Sequence, residues 1–186
     1  YATLFSFFIF ISFQLVNQYN STQQSYLTFY SIKNETVFEM VSHKKVYFVS
    51  SSELKNDWSK MLFNVNNNWN NHNITSKVYF DIDSISNYYK DESLYFENGV
   101  FYFQNKIIQL LDNNYIRDIN PNYLVVNINS LKLLKSYLKQ STPKHIIFDS
   151  TISTYKLKYY KEIIDSTLTK VISLDKKFYS VNLVSQ

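Results

Sequence analysis

The sequence predicts a layered α/β domain that follows a truncated transmembrane helix, and three observations support this fold class. An uncharged apolar stretch occupies residues 1–16. Short runs rich in β-branched and aromatic residues follow from Tyr26, and the last third of the chain alternates between strand-like runs and amphipathic helical patterns. An antiparallel meander that passes into βαβα units is typical of a layered α/β domain and not of an all-β sandwich.

Residues 1–16 are interrupted only by scattered Thr, Ser and Gln side chains. A full membrane span needs about 20 apolar residues, and the chain begins with Tyr1 instead of Met. We therefore expect the C-terminal part of a transmembrane helix, with the remainder of a larger membrane protein upstream. A secretory signal peptide is one alternative, although a basic start and a small-x-small cleavage site are missing. A buried core helix is the other.

The uncharged polar segment 17–25 predicts a linker, and the first basic residue after it is Lys33. This flank therefore lacks the Lys and Arg excess that is typical of the cytoplasmic side of a membrane. We expect residues 26–186 to form one domain, tethered to the inner membrane and exposed on its periplasmic side.

Composition limits the chemistry that the chain can perform. Without cysteine, it has no disulfide, no thiolate nucleophile and no Cys-based zinc site. Its one glycine, Gly99, leaves no Gly-rich phosphate loop and no GxSxG motif. The net charge of +4 is compatible with a solvated surface as well as with a nucleic-acid partner.

Alternating apolar runs predict the first half of the domain. The runs at 27–32, 36–42 and 45–51 predict an antiparallel meander. Ser51 or Ser52 is a candidate N-cap for a helix over 53–69. That helix carries an apolar stripe at helical spacing, formed by Leu54, Trp58, Met61, Leu62, Val65 and Trp69.

The second half is predicted to alternate between strands and helices. Asn98-Gly99 is a typical two-residue hairpin turn, and amphipathic patterns predict helices over 130–139 and 154–168. The predicted strands are 78–82, 93–96, 100–104, 106–111, 123–128, 145–149, 171–174 and 178–184.

Residues 120–126 (NPNYLVV) and 142–150 (TPKHIIFDS) each precede a predicted helix, and an apolar segment follows at 171–183. This order resembles the C-terminal end of ComEC-type competence proteins, most closely the variants of Bacteroidetes, and residues 27–69 resemble the segment after their last membrane helix. In this family, a membrane channel for incoming single-stranded DNA carries a C-terminal domain with a metallo-β-lactamase fold. The resemblance therefore implies a metallo-β-lactamase-like fold.

The resemblance also implies that the metal site of that fold has been lost. Active members bind two metals through an HxHxDH motif and further ligands, whereas no two of the three histidines here lie within two residues of each other. Active relatives have a His-His-Gly-Ser run where this chain has residues 126–130 (VNINS), and a His-Pro where it has Tyr155-Lys156-Leu157. We therefore expect a degenerate site without metal, cofactor or catalytic residues.

The histidines have simpler structural interpretations. His43 lies in a predicted turn, and His72 ends a predicted helix, where it complements the last carbonyl groups. His145 precedes a strand, as a capping or exposed residue.

Asp149 is the candidate vestigial site residue. It matches an Asp that the resembled family retains after the Ile-Ile strand, and it lies near a strand end, as Asp81, Asp112 and Asp175 do. Turn chemistry alone also places Asp at strand ends.

Lysines on the last two predicted helices are candidate nucleic-acid contacts. Lys132, Lys135 and Lys139 lie opposite the leucine face of the first helix, and Lys156 and Lys158 lie on the second, beside several tyrosines. Such a surface binds single-stranded DNA by neutralising phosphates and stacking bases. The alternative is a solvated helix face with buried tyrosines, and the interleaved Glu162 and Asp165 favour it.

Three functions remain open at this point. The first is a non-catalytic, extracytoplasmic domain of a membrane DNA-uptake channel that supports assembly or DNA handling. The second is a membrane-tethered protein-interaction module without a nucleic-acid role. The third is a residual enzyme that uses aspartates around Asp149.

Overall fold

A computed structural model of the chain describes residues 2–83, 88–112, 119–162, 164, 168–174 and 177–183. Within these ranges the chain forms two β-sheets. The first sheet has the order β12 (Tyr179–Asn182), β1 (Ser25–Phe29), β2 (Phe38–Ser42), β3 (Lys45–Ser50) and β4 (Ser76–Asp81). The second has the order β11 (Lys170–Ser173), β10 (His145–Phe148), β9 (Tyr123–Val126), β8 (Lys106–Leu110), β7 (Val100–Phe103), β6 (Leu94–Glu97) and β5 (Tyr88–Lys90).

The first sheet confirms the predicted meander, because β1, β2 and β3 pair antiparallel in chain order. His43 lies in the turn between β2 and β3 with a φ of 56°. The sheet is extended on both sides, by β12 antiparallel to β1 and by β4 parallel to β3.

The second sheet begins as an antiparallel ribbon from β5 to β8 and continues with β9, β10 and β11 in parallel. The predicted Asn98-Gly99 turn is confirmed. Both residues have positive φ, 48° and 76°, as a two-residue hairpin turn of type I′ requires. The parallel strands confirm the predicted βαβα part of the chain.

The predicted helix over 53–69 is broken into shorter pieces. These are α2 (Ser52–Asn56), α3 (Trp58–Met61), a π-helical turn (Leu62–Asn66) and α4 (Asn67–Asn71). Ser51 is the N-cap, since its Oγ accepts the N–H of Leu54 at 3.1 Å. At Asp57 the backbone leaves the helix (φ −82°, ψ 88°), and the Asp57 carboxylate caps α3 through the N–H of Lys60 at 3.0 Å.

The break makes one prediction wrong. Trp58 was expected on the buried stripe, but its side chain is 70% exposed, because the interruption at Asp57 shifts the helical phase before Trp58. Leu54, Met61, Val65 and Trp69 are buried as predicted, and Leu62 is half-buried.

The later helices are shorter than predicted. A 3₁₀ turn (Leu131–Leu133) leads into α5 (Leu134–Tyr137), and α6 spans Thr154–Lys161. The rest of the helix predicted over 154–168 lies largely outside the described residues, as does Asp175.

Three buried clusters define four layers. One lies between the sheets and contains Phe38 and Met40 of the first and Phe96 and Phe101 of the second. Another lies between the first sheet and the α2–α4 layer, and a third between the second sheet and α5 and α6. The prediction of a layered α/β domain is therefore confirmed, with two sheets packed face to face and helices outside each.

The first helix, α1, spans Ala2–Gln23 and so continues through most of the segment that was predicted to be a linker. Its apolar side chains, from Leu4 to Val16, are exposed. The expected transmembrane helix is not found, because no helix among the described residues is both long enough and apolar enough to span a bilayer.

Candidate functional site at the strand ends

A cleft of about 350 Å³ lies where several parallel strands of the two sheets end. Such strand ends are where open α/β sheets commonly bind ligands. The first sheet contributes Ser51 after β3 and Ile82 and Asp83 after β4, and the second contributes residues after β8, β9 and β10. The remaining lining residues are Asn34, Glu35, Thr36, Glu53, Leu111, Asp112, Asn127, Ile128, Asn129, Ser130, Leu133 and Thr151.

The segment 127–130, where the resemblance placed lost metal ligands, does line this cleft. Asn127 serves a local turn, because its Oδ1 accepts the N–H groups of Asn129 at 3.1 Å and Ser130 at 2.9 Å. The Asn127 N–H in turn donates to the Ser130 Oγ at 3.1 Å. The Asn127 carboxamide therefore starts the following helical turn.

The cleft is acidic. Its lining includes the carboxylates of Glu35, Glu53, Asp83 and Asp112, and no Lys, Arg or His of the described residues lines it. Glu35 accepts a hydrogen bond from the Ser51 Oγ at 2.8 Å, and the nearest ammonium group to it is that of Lys60 at 3.9 Å. A phosphate group is therefore disfavoured in this cleft.

The residues in the cleft do not fit the dinuclear metal centre that the resemblance associates with the fold. Such a centre needs several imidazole and carboxylate ligands that converge on the metals. In the part of the chain that the structure describes, no three His, Cys, Asp or Glu side chains come together as a metal-binding group.

Asp149, the candidate vestigial residue, is buried and contacts two threonines of the cleft lining, Thr36 and Thr151. Its side chain is 1% exposed and accepts hydrogen bonds from the Thr36 hydroxyl, the Thr151 hydroxyl at 2.5 Å and the Thr151 N–H at 3.0 Å. Burial raises the pKa of Asp149 to about 6, and these hydrogen bonds oppose the increase. The carboxyl group therefore joins the two threonines that line the cleft.

Residues 155–157, the second place of expected ligand loss, lie away from this cleft on α6. Tyr155 is 89% exposed, and Leu157 is buried against the second sheet. The structure therefore brings only the segment 127–130 to the strand ends.

All five candidate lysines, Lys132, Lys135, Lys139, Lys156 and Lys158, are exposed on the outer helical layer of the second sheet. Within the described residues, none of them has a carboxylate within 4.0 Å. We call this surface the lysine face.

Two tyrosines on α6 are exposed beside Lys156 and Lys158, Tyr155 at 89% and Tyr159 at 62%. Both line a shallow groove with Lys156, Lys158, Tyr160 and Glu162. Tyr160 is half-buried and packs against the core. The alternative of fully buried tyrosines is therefore wrong for Tyr155 and Tyr159.

The histidines occupy separate structural positions. The His43 N–H donates to the carbonyl of Gln24, the residue after α1, at 2.8 Å, and the exposed His43 ring contacts the Thr22 carbonyl of α1. His72 is the C-cap of α4. His145 begins β10, where its ring stacks on Tyr123 at 4.9 Å.

Sequence reasoning missed a buried carboxylate on β2. Glu39 is 0% exposed and accepts hydrogen bonds from the Tyr30 hydroxyl at 2.7 Å, the Asn68 amide at 2.9 Å and the Trp69 indole N–H at 2.6 Å. Burial raises its pKa to about 7. The one available signal was an acidic residue inside an apolar strand pattern.

The layer order and the strand-end cleft define the class of this chain: a mixed α/β domain of two stacked sheets whose described residues hold no metal-binding group. Residues 27–183, well over half of the chain, match the ComEC C-terminal domain family. The chain belongs to this family and is the C-terminal region of a ComEC-type competence protein. No curated protein and no solved structure shows a significant match.

Proposed function

We propose that this chain is a non-catalytic, degenerate metallo-β-lactamase-like domain of a membrane DNA-uptake channel, and that its lysine face handles single-stranded DNA. Membership of the ComEC C-terminal domain family supports the role in DNA uptake. The stacked sheets with outer helices and a strand-end cleft support the fold assignment. The proposed location is the periplasmic side of the inner membrane, supported by the uncharged segment 17–25.

The observation that carries the proposal is the separation of charge over the surface. The five lysines of the lysine face have no carboxylate at ion-pair distance within the described residues, so their ammonium groups are available to phosphates. Exposed Tyr155 and Tyr159 present rings on which bases stack. The strand-end cleft, in contrast, carries carboxylates that repel a nucleic-acid backbone.

The first experiment measures the affinity of the full chain for a fluorescent oligothymidine at several salt concentrations. We expect salt-dependent binding, and we expect Lys132→Glu, Lys135→Glu and Lys139→Glu together to lower the slope of log K against log salt by about 2, since each phosphate contact on a single strand contributes about 0.7.

A matched control changes Lys33, Lys90 and Lys106 to Glu, which alters the net charge by the same amount at sites off the lysine face. This control should retain most of the affinity and the slope. Equal losses in the two triple variants would contradict the lysine face as the binding surface and indicate a response to net charge alone.

The second experiment tests the non-catalytic assignment. We expect the purified chain to bind no stoichiometric zinc or manganese by calorimetry and to leave single-stranded DNA intact when either metal is added, because the cleft residues do not form a converging ligand set. Tight metal binding together with DNA hydrolysis would contradict the non-catalytic assignment.

A membrane-tethered protein-interaction module is the second candidate function. The observation in its favour is the pair of large side chains exposed on the α2–α4 side, Trp58 at 70% and Phe63 at 76%. The absence of any oligothymidine affinity at low salt would favour this function over DNA handling.

A further inference from the structure

A second cavity, of about 590 Å³, lies on the outer side of the first sheet, between the C-terminal end of α1, strands β1 and β12, and the α4 region. Its volume is in the range of small-molecule sites, roughly 300–1,000 Å³. It is separate from the strand-end cleft and from the lysine face, which covers the outer side of the second sheet.

The lining of this cavity is aromatic and polar without charge. Its rings belong to Tyr26, Tyr30, His72 and Phe178, and its carboxamides include those of Asn64 and Asn68. None of the described residues that line it is Lys, Arg, Asp or Glu. Burial lowers the pKa of His72, which favours the neutral imidazole. The cavity therefore suits an uncharged ligand.

The carboxamides of Asn64 and Asn68 are fixed by bonds within the protein. The Asn64 amide donates to the Lys60 carbonyl at 2.8 Å, and the Asn68 amide donates to Glu39 at 2.9 Å and to the Tyr30 hydroxyl at 3.0 Å. Their Oδ1 atoms accept no hydrogen bond within the described residues. These two oxygens are therefore held in place and can accept hydrogen bonds from a ligand.

Tyr26 gives an independent indication of a ligand. The residue is 8% exposed, and its buried hydroxyl has no hydrogen-bond partner within the described part of the chain. Burial, and after it the charge of Glu39, raise the pKa of Tyr26 above its ordinary value, while the neighbouring Asn68 side chain opposes the increase. The hydroxyl therefore keeps its proton, and a buried donor without an acceptor is uncommon in a folded protein.

We infer that this cavity binds a nucleobase, either in a deoxynucleoside or as one unstacked base of a single strand. Proteins recognise unpaired bases by stacking on aromatic rings and by hydrogen bonds from carboxamides and hydroxyls to the base edges. The uncharged lining accepts a base and leaves its phosphates outside. The choice of a base as ligand rests on the proposed function in DNA handling.

The test is calorimetric titration of the full chain with the four common deoxynucleosides and with free deoxyribose. We expect at least one deoxynucleoside to bind with a Kd below about 1 mM. We expect Tyr26→Phe to weaken that binding about tenfold, the effect of one lost hydrogen bond. The ligand-free thermal midpoint should not fall, since the variant removes an unpartnered hydroxyl.

Two further variants complete the test. Phe178→Ala, at an exposed ring on the cavity rim, should also weaken binding, whereas Tyr155→Phe on the lysine face should not change it. No binding of any deoxynucleoside, equal binding by Tyr26→Phe, or deoxyribose binding as tight as that of the nucleosides would overturn the inference.

The outcome separates this inference from the proposed function, because the two sites lie on opposite sides of the domain. Deoxynucleoside binding through Tyr26 without any oligothymidine affinity would leave the cavity assignment standing and contradict DNA handling by the lysine face. Oligothymidine binding through the lysines without deoxynucleoside binding would overturn the cavity assignment alone.

Discussion

Glu39 and Asp149 are carboxyl groups buried without a cation. Each accepts several hydrogen bonds, Glu39 from Tyr30, Asn68 and Trp69, and Asp149 from Thr36 and Thr151. Within the described residues, neither has a Lys, Arg or His at ion-pair distance. Their donors come from different elements, so each carboxyl group holds separate parts of the chain together.

At Asp149, we expect replacement to cost stability and to leave DNA affinity unchanged. Asp149→Ala removes the acceptor for one N–H and two hydroxyl groups and should lower the free energy of unfolding by about 3 kcal/mol, measured in urea. Asp149→Asn retains an acceptor oxygen and should cost only about 1 kcal/mol. A loss of oligothymidine affinity in a folded Asp149→Asn would contradict the structural role.

The segment from α2 to α4 shows how one residue decides the burial of a whole element. Asp57 interrupts the helix and caps the next piece. After the break, Met61, Val65 and Trp69 recur every fourth residue and face the first sheet, while Trp58 and Phe63 face solvent. The π-helical turn between α3 and α4 lies inside this buried stripe.

The two tryptophans of this segment provide a matched pair for mutation. Trp69→Ala should destabilise the domain by about 3–5 kcal/mol, because it removes a buried ring that packs edge-on against Phe48 at 5.2 Å. It also removes a donor to Glu39. Trp58→Ala should change the free energy of unfolding by less than about 0.5 kcal/mol. Similar urea midpoints for the two variants would contradict the burial of Trp69 and the exposure of Trp58 that follow from the break at Asp57.

At the scale of the whole molecule, the two sheets are joined by polar contacts as well as by the apolar core. Asp91, after β5, accepts hydrogen bonds from Lys45 and from the Tyr47 hydroxyl on β3, both at 2.6 Å. Burial raises the pKa of Asp91, but these bonds and the N–H groups of Leu94 and Ser93 outweigh it and hold the pKa well below its ordinary value. The stabilisation that this contact gives to the fold is therefore lost in acid.

The carboxyl groups of Glu39, Asp149 and Asp91 together make the free energy of unfolding depend on pH. Raised pKa values favour folding most at low pH, so stability falls as pH rises from 4.5 to about 7 for Glu39 and from 3.8 to about 6 for Asp149. The Asp91 contribution is lost below its ordinary value of 3.8. We therefore expect the stability that these groups provide to be greatest at about pH 4–5.

Urea unfolding at pH 5 and pH 7.5 checks this expectation. Glu39 alone should lower the free energy of unfolding by about 2 kcal/mol over that interval, and Glu39→Gln should remove this part of the change. The exposed Glu92 offers a control, since Glu92→Gln should keep the wild-type difference. An identical pH response in Glu39→Gln and wild type would contradict a raised Glu39 pKa.

The sequence by itself determined the local features of this protein. Period-two apolar runs and turn residues located the meander and the Asn98-Gly99 hairpin, and the Ser51-Ser52 pair marked the start of α2, because strands, turns and caps depend on neighbouring residues. The exposure of Lys132, Lys135 and Lys139 was also predictable, since the amphipathic spacing of residues 131–139 is a local pattern, although the structure divides this segment into a 3₁₀ turn and the short α5.

Only the tertiary structure decided which distant residues meet. Glu39 is buried because β2 is covered on both faces, by the second sheet and by the α2–α4 layer. The uncharged cavity takes its lining from α1, β1, α4 and β12, segments that lie far apart in the chain. The strand-end cleft likewise gathers residues 34–36, 82–83 and 127–130. No local pattern encodes such contacts, because they depend on how sheets and helices pack against each other.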